Sequence, residues 1–266
     1  MSRYPYVLLD PTGNLTALVL APVPPEDRPR VTAALMGISE QVGYLMTPTL
    51  PGAAARLEMM GGEFCGNATM ATASWLMLQK GLPVGGETLV PMEVSGAKDV
   101  LSCRICRREK DFQGTVPMPA ILDWGESLPA WPGVPYVRME GILHWIWQGE
   151  FLPEDEATRL LREAAQRLSE EAAGLLFWDE KTSTMRPLIF VKPTSTMVWE
   201  TGCGSGSAAI GAWRAVKQGD GETRTVVHQP GGTITAAAWV QAGRVERVEM
   251  TGTVRMGEIQ TLALDE

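Results

Sequence analysis

The chain has 266 residues, of which 45% are apolar and 20% charged, and its net charge is −8. That length buries a sizeable core as one or two domains, and the composition is that of an ordinary globular protein. The acidic balance argues against a nucleic-acid surface and against an anionic-membrane binder. The N-terminal stretch "MSRYPYVLLDPTG" shows no long apolar segment and no small-residue cleavage site. No run reaches the roughly 18 apolar residues of a spanning helix. The expectation is a cytoplasmic protein with reduced thiols.

In chain order, "YPYVLLD" and "LTALVL" flank a turn at Pro11–Asn14 and predict an opening hairpin. Arg28–Met36 predicts a short helix stopped near Gly37. "ARLEMM", "TLVPMEV" and "VLSCRIC" predict strands. The Pro/Gly-rich stretch from Gly114 to Gly133 is the candidate crossover between two halves. His144 falls in an aromatic strand, "HWIWQ". Pro153 opens an amphipathic helix with Leu160, Leu161, Ala164, Ala165 and Leu168 on one face. "TRTVVH", "TITAAAWV" and "RVERVEM" predict closing strands.

Two segments stand apart. "EFCGNATMATASW" and "TGCGSGSAAIGAW" each place Cys, Gly and a small polar residue before an Ala-rich run that ends in Trp. Aligning Cys65 with Cys203 brings Gly66 onto Gly204 and Trp75 onto Trp213. The runs Ala68–Gln79 and Ala208–Val216 are apolar on nearly every face, which predicts two buried helices, each with a cysteine at its start. The match has the look of an internal duplication. The first N–H groups of a helix lack internal acceptors and carry the positive end of the dipole. A thiol there ionises more easily, and the N–H groups bind a carboxylate. Glycine after the cysteine lets a ligand approach the backbone. Two such ends facing one another would hold a carboxylate with a thiol on either side of the adjacent carbon. One sulfur would remove a proton and the other deliver one, inverting a stereocentre.

"FCGNA" with "GCGSGSAA" resembles the paired cysteine motifs of the diaminopimelate epimerase-like family, the cofactor-independent amino-acid racemases and epimerases. "DPTGNLTAL" resembles the family's substrate-contacting Gly-Asn turn, "GILH" stands in place of its Asn-Pro-His motif, and "MTGTVRMGEI" resembles its last strand pair. The resemblance implies Cys65 and Cys203 as catalytic thiols, with Asn14, Gly66, Asn67, His144, Gly204 and Ser205 on the substrate. It implies no pyridoxal phosphate or other cofactor and no metal. Thr194-Ser195, Ile142 and Arg56 stand where diaminopimelate enzymes carry Glu-Arg and two Asn residues, so these polar readers of that substrate are missing. "VWETGCGSGS", "RPLIFV", "EQVGYL" and "RLEMMGGEFCGNA" resemble the histidine racemase branch, which supplies D-histidine for opine metallophores. That branch makes Glu40 and Glu200 candidates for imidazole recognition or thiol tuning.

Each feature has a plainer reading. A cysteine at a helix start is often a small buried residue, and His144 can be a core histidine satisfied by backbone. Asn14 can be a turn residue, and an isolated Glu is usually solvated. Cys103-x-x-Cys106 lacks a second pair and lies on a predicted strand that points its thiols to opposite faces. The basic run Arg104, Arg107, Arg108, Lys110 is broken by Glu109 and Asp111 and reads as a solvated edge. The rival functions are another racemase or epimerase of this fold, a thiol-redox or metal-binding protein, and a ligand-binding module without catalysis. The fold expected is α/β and diaminopimelate epimerase-like, in two pseudo-twofold related domains, each a mixed sheet or barrel around a central helix. The boundaries expected are 1–117 with returning strands 252–266, and 118–251. The site is expected in the cleft between them. The expected partners are a small amino-acid substrate and a second copy in a homodimer, with no nucleic acid and no membrane.

Overall fold

The protein was analysed as a computed structural model, which describes residues 2–193 and 195–264. It is a mixed α/β, sheet-dominated chain with sixteen strands and four helices among the described residues. Two compact units emerge: residues 1–117 with 251–266, and residues 118–250.

The first unit contains β1 (Ser2–Pro11), β2 (Thr16–Val19), α1 (Arg28–Leu35), β3 (Gln41–Met46), β4 (Ala55–Met59), α2 (Gly66–Gln79), β5 (Glu87–Val94), β6 (Leu101–Arg107) and β7 (Phe112–Pro117). β1 and β2 form the predicted antiparallel hairpin, in register from Tyr6 opposite Val19 to Leu9 opposite Thr16. Its turn carries Gly13 at φ 90°, a conformation that suits glycine. The second unit contains β8 (Ile121–Gly125), β9 (Tyr136–Met139), β10 (Ile142–Trp147), α3 (Glu154–Ala165), β11 (Ala172–Asp179), β12 (Thr184–Val191), β13 (Thr196–Trp199), α4 (Gly204–Gln218), β14 (Gly221–Gln229) and β15 (Gly232–Gln241). The last strand, β16 (Arg244–Leu264), begins in the second unit and ends in the first.

In the first unit the strands pair in chain order from β1 to β7, then with β16, which pairs back onto β1 from Leu264 opposite Ser2 to Val254 opposite Pro11. That closure leaves no sheet edge along this path. α2 packs against β1, β2, β5, β6 and β7 and buries Gly66 through Ser74 as well as Met77. A helix apolar all round needs such surroundings, because no face of it suits water. In the second unit the order is β16, β15, β14, β12, β11, β10, β9, β8, with β13 on β12. α4 packs on β9, β10, β14 and β15, where Ala208, Ala209, Ile210, Ala212 and Trp213 join Leu176, Met185 and Val227 in one core. α3 lies on β11 and β12 over a separate core. Its acidic first turn, Glu154, Asp155 and Glu156, faces the positive end of its dipole.

The stretch from Gly114 to Gly133, expected as the crossover between halves, contains the division between the two units at 117/118 and also carries the end of β7 and all of β8. Alternation decides it: Phe112, Gly114 and Val116 are buried and Gln113, Thr115 and Pro117 less so, which is a half-buried strand despite the Gly and Pro. α2 and α4 begin at Gly66 and Gly204, two and four residues earlier than the apolar runs suggest. The expected reader positions Thr194-Ser195 fall partly outside the description. Thr194 lies outside the described residues, and Ser195 sits in a turn at φ 54°.

Candidate active site

Both cysteines cap helices, and they do so in the same way. Cys65 (φ −133°, ψ 109°) precedes α2, and Cys203 (φ −110°, ψ 109°) precedes α4. The Cys65 sulfur accepts the Ala68 N–H at 3.4 Å, and the Cys203 sulfur accepts the Gly206 N–H at 3.3 Å. Each carbonyl receives the hydroxyl four residues on: Thr69 at 2.7 Å on Cys65 and Ser207 at 2.8 Å on Cys203. The sulfur thus does the work of an N-cap oxygen, satisfying one of the helix's unpaired donors.

Around Cys65 the first unit builds a polar network. The thiol donates to Gln41 Oε1 at 3.1 Å. Gln41 Nε2 donates to Asn14 Oδ1 and to Thr16 Oγ1, both at 2.7 Å, so only the carbonyl end of that amide can face the sulfur. Asn14 Nδ2 donates to Glu40 Oε2 at 2.8 Å, and Asn67 Nδ2 donates to Asn14 Oδ1 at 3.2 Å. Asn14, Glu40, Asn67 and Cys65, named separately from the sequence, therefore meet in one cluster. Its hub, Gln41, is a residue the sequence reading missed; its one signal was its place beside Glu40 in "EQVGYL".

Around Cys203 the second unit supplies different groups. Ser205 Oγ lies 3.5 Å from the sulfur and 3.0 Å from His144 Nε2. His144 is fully buried on β10, opposite Gly174 of the parallel strand β11. A Cβ on Gly174 would lie 2.1 Å from His144 Nδ1, so the absent side chain is what makes room for the imidazole. Burial pushes the His144 pKa down to about 3, and the ring is neutral at ordinary pH. The Cys203 thiol is 2% exposed. Burial pushes its pKa well up, and the Glu200 carboxylate beside it pushes the same way, against the opposing pull of Ser205 and the Gly206 N–H. The sequence predicts easier ionisation at a helix start. For Cys203 desolvation outweighs the helix end, and the sulfur is held as a thiol.

The remaining positions fall into the scaffold. Arg56 pairs with Glu58 at 3.4 Å and Glu93 at 3.6 Å. Ile142 packs half-buried against the α4 core. Cys103 is buried on β6 with its thiol pushed up to about 12 by burial, while Cys106 is half-buried on the same strand. His228 bonds Thr233 Oγ1 at 3.0 Å. Among the described residues no three His, Cys, Asp or Glu side chains are grouped to hold a metal ion, and no helix is long and apolar enough to cross a membrane.

The family model described as the histidine racemase CntK N-terminal domain matches residues 4–259. A histidine racemase of Staphylococcus aureus is 27% identical over 245 residues, covering 85% of both chains. A phenazine biosynthesis protein of the PhzF family from Bacillus anthracis superposes with a TM-score of 0.70 at 14% identity, covering 99% of this chain and 100% of that one. A hydroxyproline epimerase from Agrobacterium vitis, with trans-4-hydroxy-L-proline bound, also gives 0.70 at 14% identity, covering 99% and 93%. At those identities the two structures share a fold with this chain and nothing finer.

Proposed function

The chain belongs to the histidine racemase CntK N-terminal domain family, and from that premise we propose that it interconverts L- and D-histidine with Cys65 and Cys203 as its proton carriers. The observation that carries the reading is the pair of cysteines capping α2 and α4 with the same sulfur and carbonyl bonds. Inverting Cα requires a base on one face and an acid on the other. The two thiols supply these roles, which exchange when the reaction runs backwards. N–H groups at the start of α2 and α4, at Gly66, Asn67, Gly204 and Ser205, are the candidates for holding the substrate carboxylate, whose charge grows as Cα is deprotonated.

In the direction where Cys203 is the acid it enters as the thiol, the form that burial and Glu200 both favour. Neutral His144 acts on it through Ser205. On the Cys65 side, Asn14 and Glu40 offer an amide and a carboxylate, and Glu40 suits an imidazole N–H. The parallel caps also support reading the halves as products of a duplication in a diaminopimelate epimerase-like fold. The D-histidine product fits a role in opine metallophore synthesis, and the enzyme is proposed to act as a homodimer.

The test is chiral chromatography after incubation with L-histidine, D-histidine and diaminopimelate in turn. The two histidine reactions should converge on an equal mixture. Diaminopimelate should turn over at least ~100-fold more slowly, because a site without polar readers leaves its distal charges unpaired. Rapid epimerisation of diaminopimelate, with histidine untouched, would overturn the assignment.

A further inference from the structure

We propose that Gln229 is the positioning residue of Cys203, holding that cysteine's main chain from the end of β14; the inference rests on the racemase reading above. Gln229 is 8% exposed and uses both ends of its amide on the α4 cap. Its Oε1 accepts the Cys203 N–H at 2.6 Å. Its Nε2 donates to Ser207 Oγ at 2.9 Å and reaches the Cys203 carbonyl at 3.4 Å. The Ser207 hydroxyl in turn donates to that same carbonyl at 2.8 Å. A single side chain therefore fixes the N–H that precedes the helix ladder and, directly and through Ser207, the carbonyl that starts it.

The turn after β14 ties the same segment down a second time, since the Gly231 N–H donates to the Thr201 carbonyl at 2.8 Å. In the first unit the corresponding cysteine meets its glutamine differently: Gln41 Oε1 accepts a hydrogen bond from the Cys65 thiol. The two sulfurs are thus aimed by different devices. Cys203 has its backbone clamped by a neutral amide, while its sulfur meets the Gly206 N–H, Ser205, Glu200 and, through Ser205, His144. The amide must be neutral to serve, because a carboxylate in its place would add a second negative charge beside a thiol that already faces Glu200.

Gln229→Leu and Gln229→Glu in the full-length protein test this. Two readouts are needed: kcat and KM for histidine racemisation, and the alkylation of Cys65 and Cys203 by iodoacetamide, resolved by peptide mass spectrometry. Gln229→Leu should lower kcat about 100-fold, the cost of an ångström-scale displacement of a reacting group, with KM within about threefold. Gln229→Glu should raise the pH midpoint of Cys203 alkylation by about one unit and leave that of Cys65 in place. Should the leucine variant fail to fold, the near-isosteric glutamate variant carries the test. Wild-type kcat in the variants, an unmoved Cys203 midpoint, or equal changes at the two cysteines would each overturn the proposal. If the wild-type chain does not racemise histidine, the functional reading falls, while the Cys203-specific alkylation shift still decides what Gln229 does.

Discussion

Acidification should destabilise this protein through His144, by an amount the structure sets. The imidazole is fully buried, its Nε2 bonds Ser205, and its Nδ1 has no partner among the described residues. Burial lowers its pKa from 6.5 to about 3 in the folded chain. Below pH 6.5 the unfolded chain therefore binds a proton that the folded chain refuses. Stability then rises with pH across this window: the contribution is fully present above about 6.5 and is lost progressively as the pH falls toward 3. At pH 4.5, two units below the unfolded value, the loss is about 3 kcal/mol, from 1.4 kcal/mol per unit. Urea unfolding followed by tryptophan fluorescence at pH 7.5 and 4.5 measures it, in the wild type and in His144→Asn. Glu93, Asp179 and Asp220, whose pKa values are lowered by local hydrogen bonds, also lose stability in acid. They titrate alike in both proteins and cancel in the difference. The wild type should lose about 3 kcal/mol more than the variant. Equal losses would refute a neutral, desolvated His144.

Other outcomes follow from the same geometry. Cys65→Ser and Cys203→Ser should each cut racemisation by about 1,000-fold or more, since neither proton role has a substitute, whereas Cys103→Ser and Cys106→Ser should leave turnover near wild type; steady-state rates decide. Gly174→Ala puts a methyl 2.1 Å from His144 Nδ1 and should cost about 1–3 kcal/mol in urea unfolding. Gly114→Ala, whose Cβ would meet Met70 Cγ at 2.2 Å inside the first unit's core, should cost a similar amount while leaving KM unchanged.

Local pattern carried much of the fold. The runs "YPYVLLD" and "LTALVL" on either side of the turn at Pro11–Asn14 gave away the hairpin, and α3 follows from its apolar stripe. β7 and β8 escaped because Gly and Pro mark turns in sequence, yet sheet pairing satisfied the backbone there. The helix starts were legible as well, because the sequence puts a cysteine at the start of each, and Cys65 and Cys203 cap α2 and α4. Gly66 and Gly204 are poor helix formers, and each is held in the first turn by the local sulfur cap that precedes it. Of the site, the cysteines were legible because two copies of one motif are rare in a chain with four cysteines. Gln41 and Gln229 were not, because a glutamine in a strand carries no motif; only register brings its amide to a cap. Nor could sequence weigh helix end against burial at Cys203, because the outcome depends on how completely water is excluded and on Glu200 lying beside the sulfur.

The most direct test of the central claim is to incubate the protein with L-histidine in deuterated water and follow both enantiomer and Cα isotope by chiral chromatography and mass spectrometry. D-histidine should carry deuterium at Cα, form without added pyridoxal phosphate, and be absent with Cys65→Ser or Cys203→Ser. D-histidine that retains the original Cα proton throughout, or undiminished turnover in either serine variant, would contradict that claim.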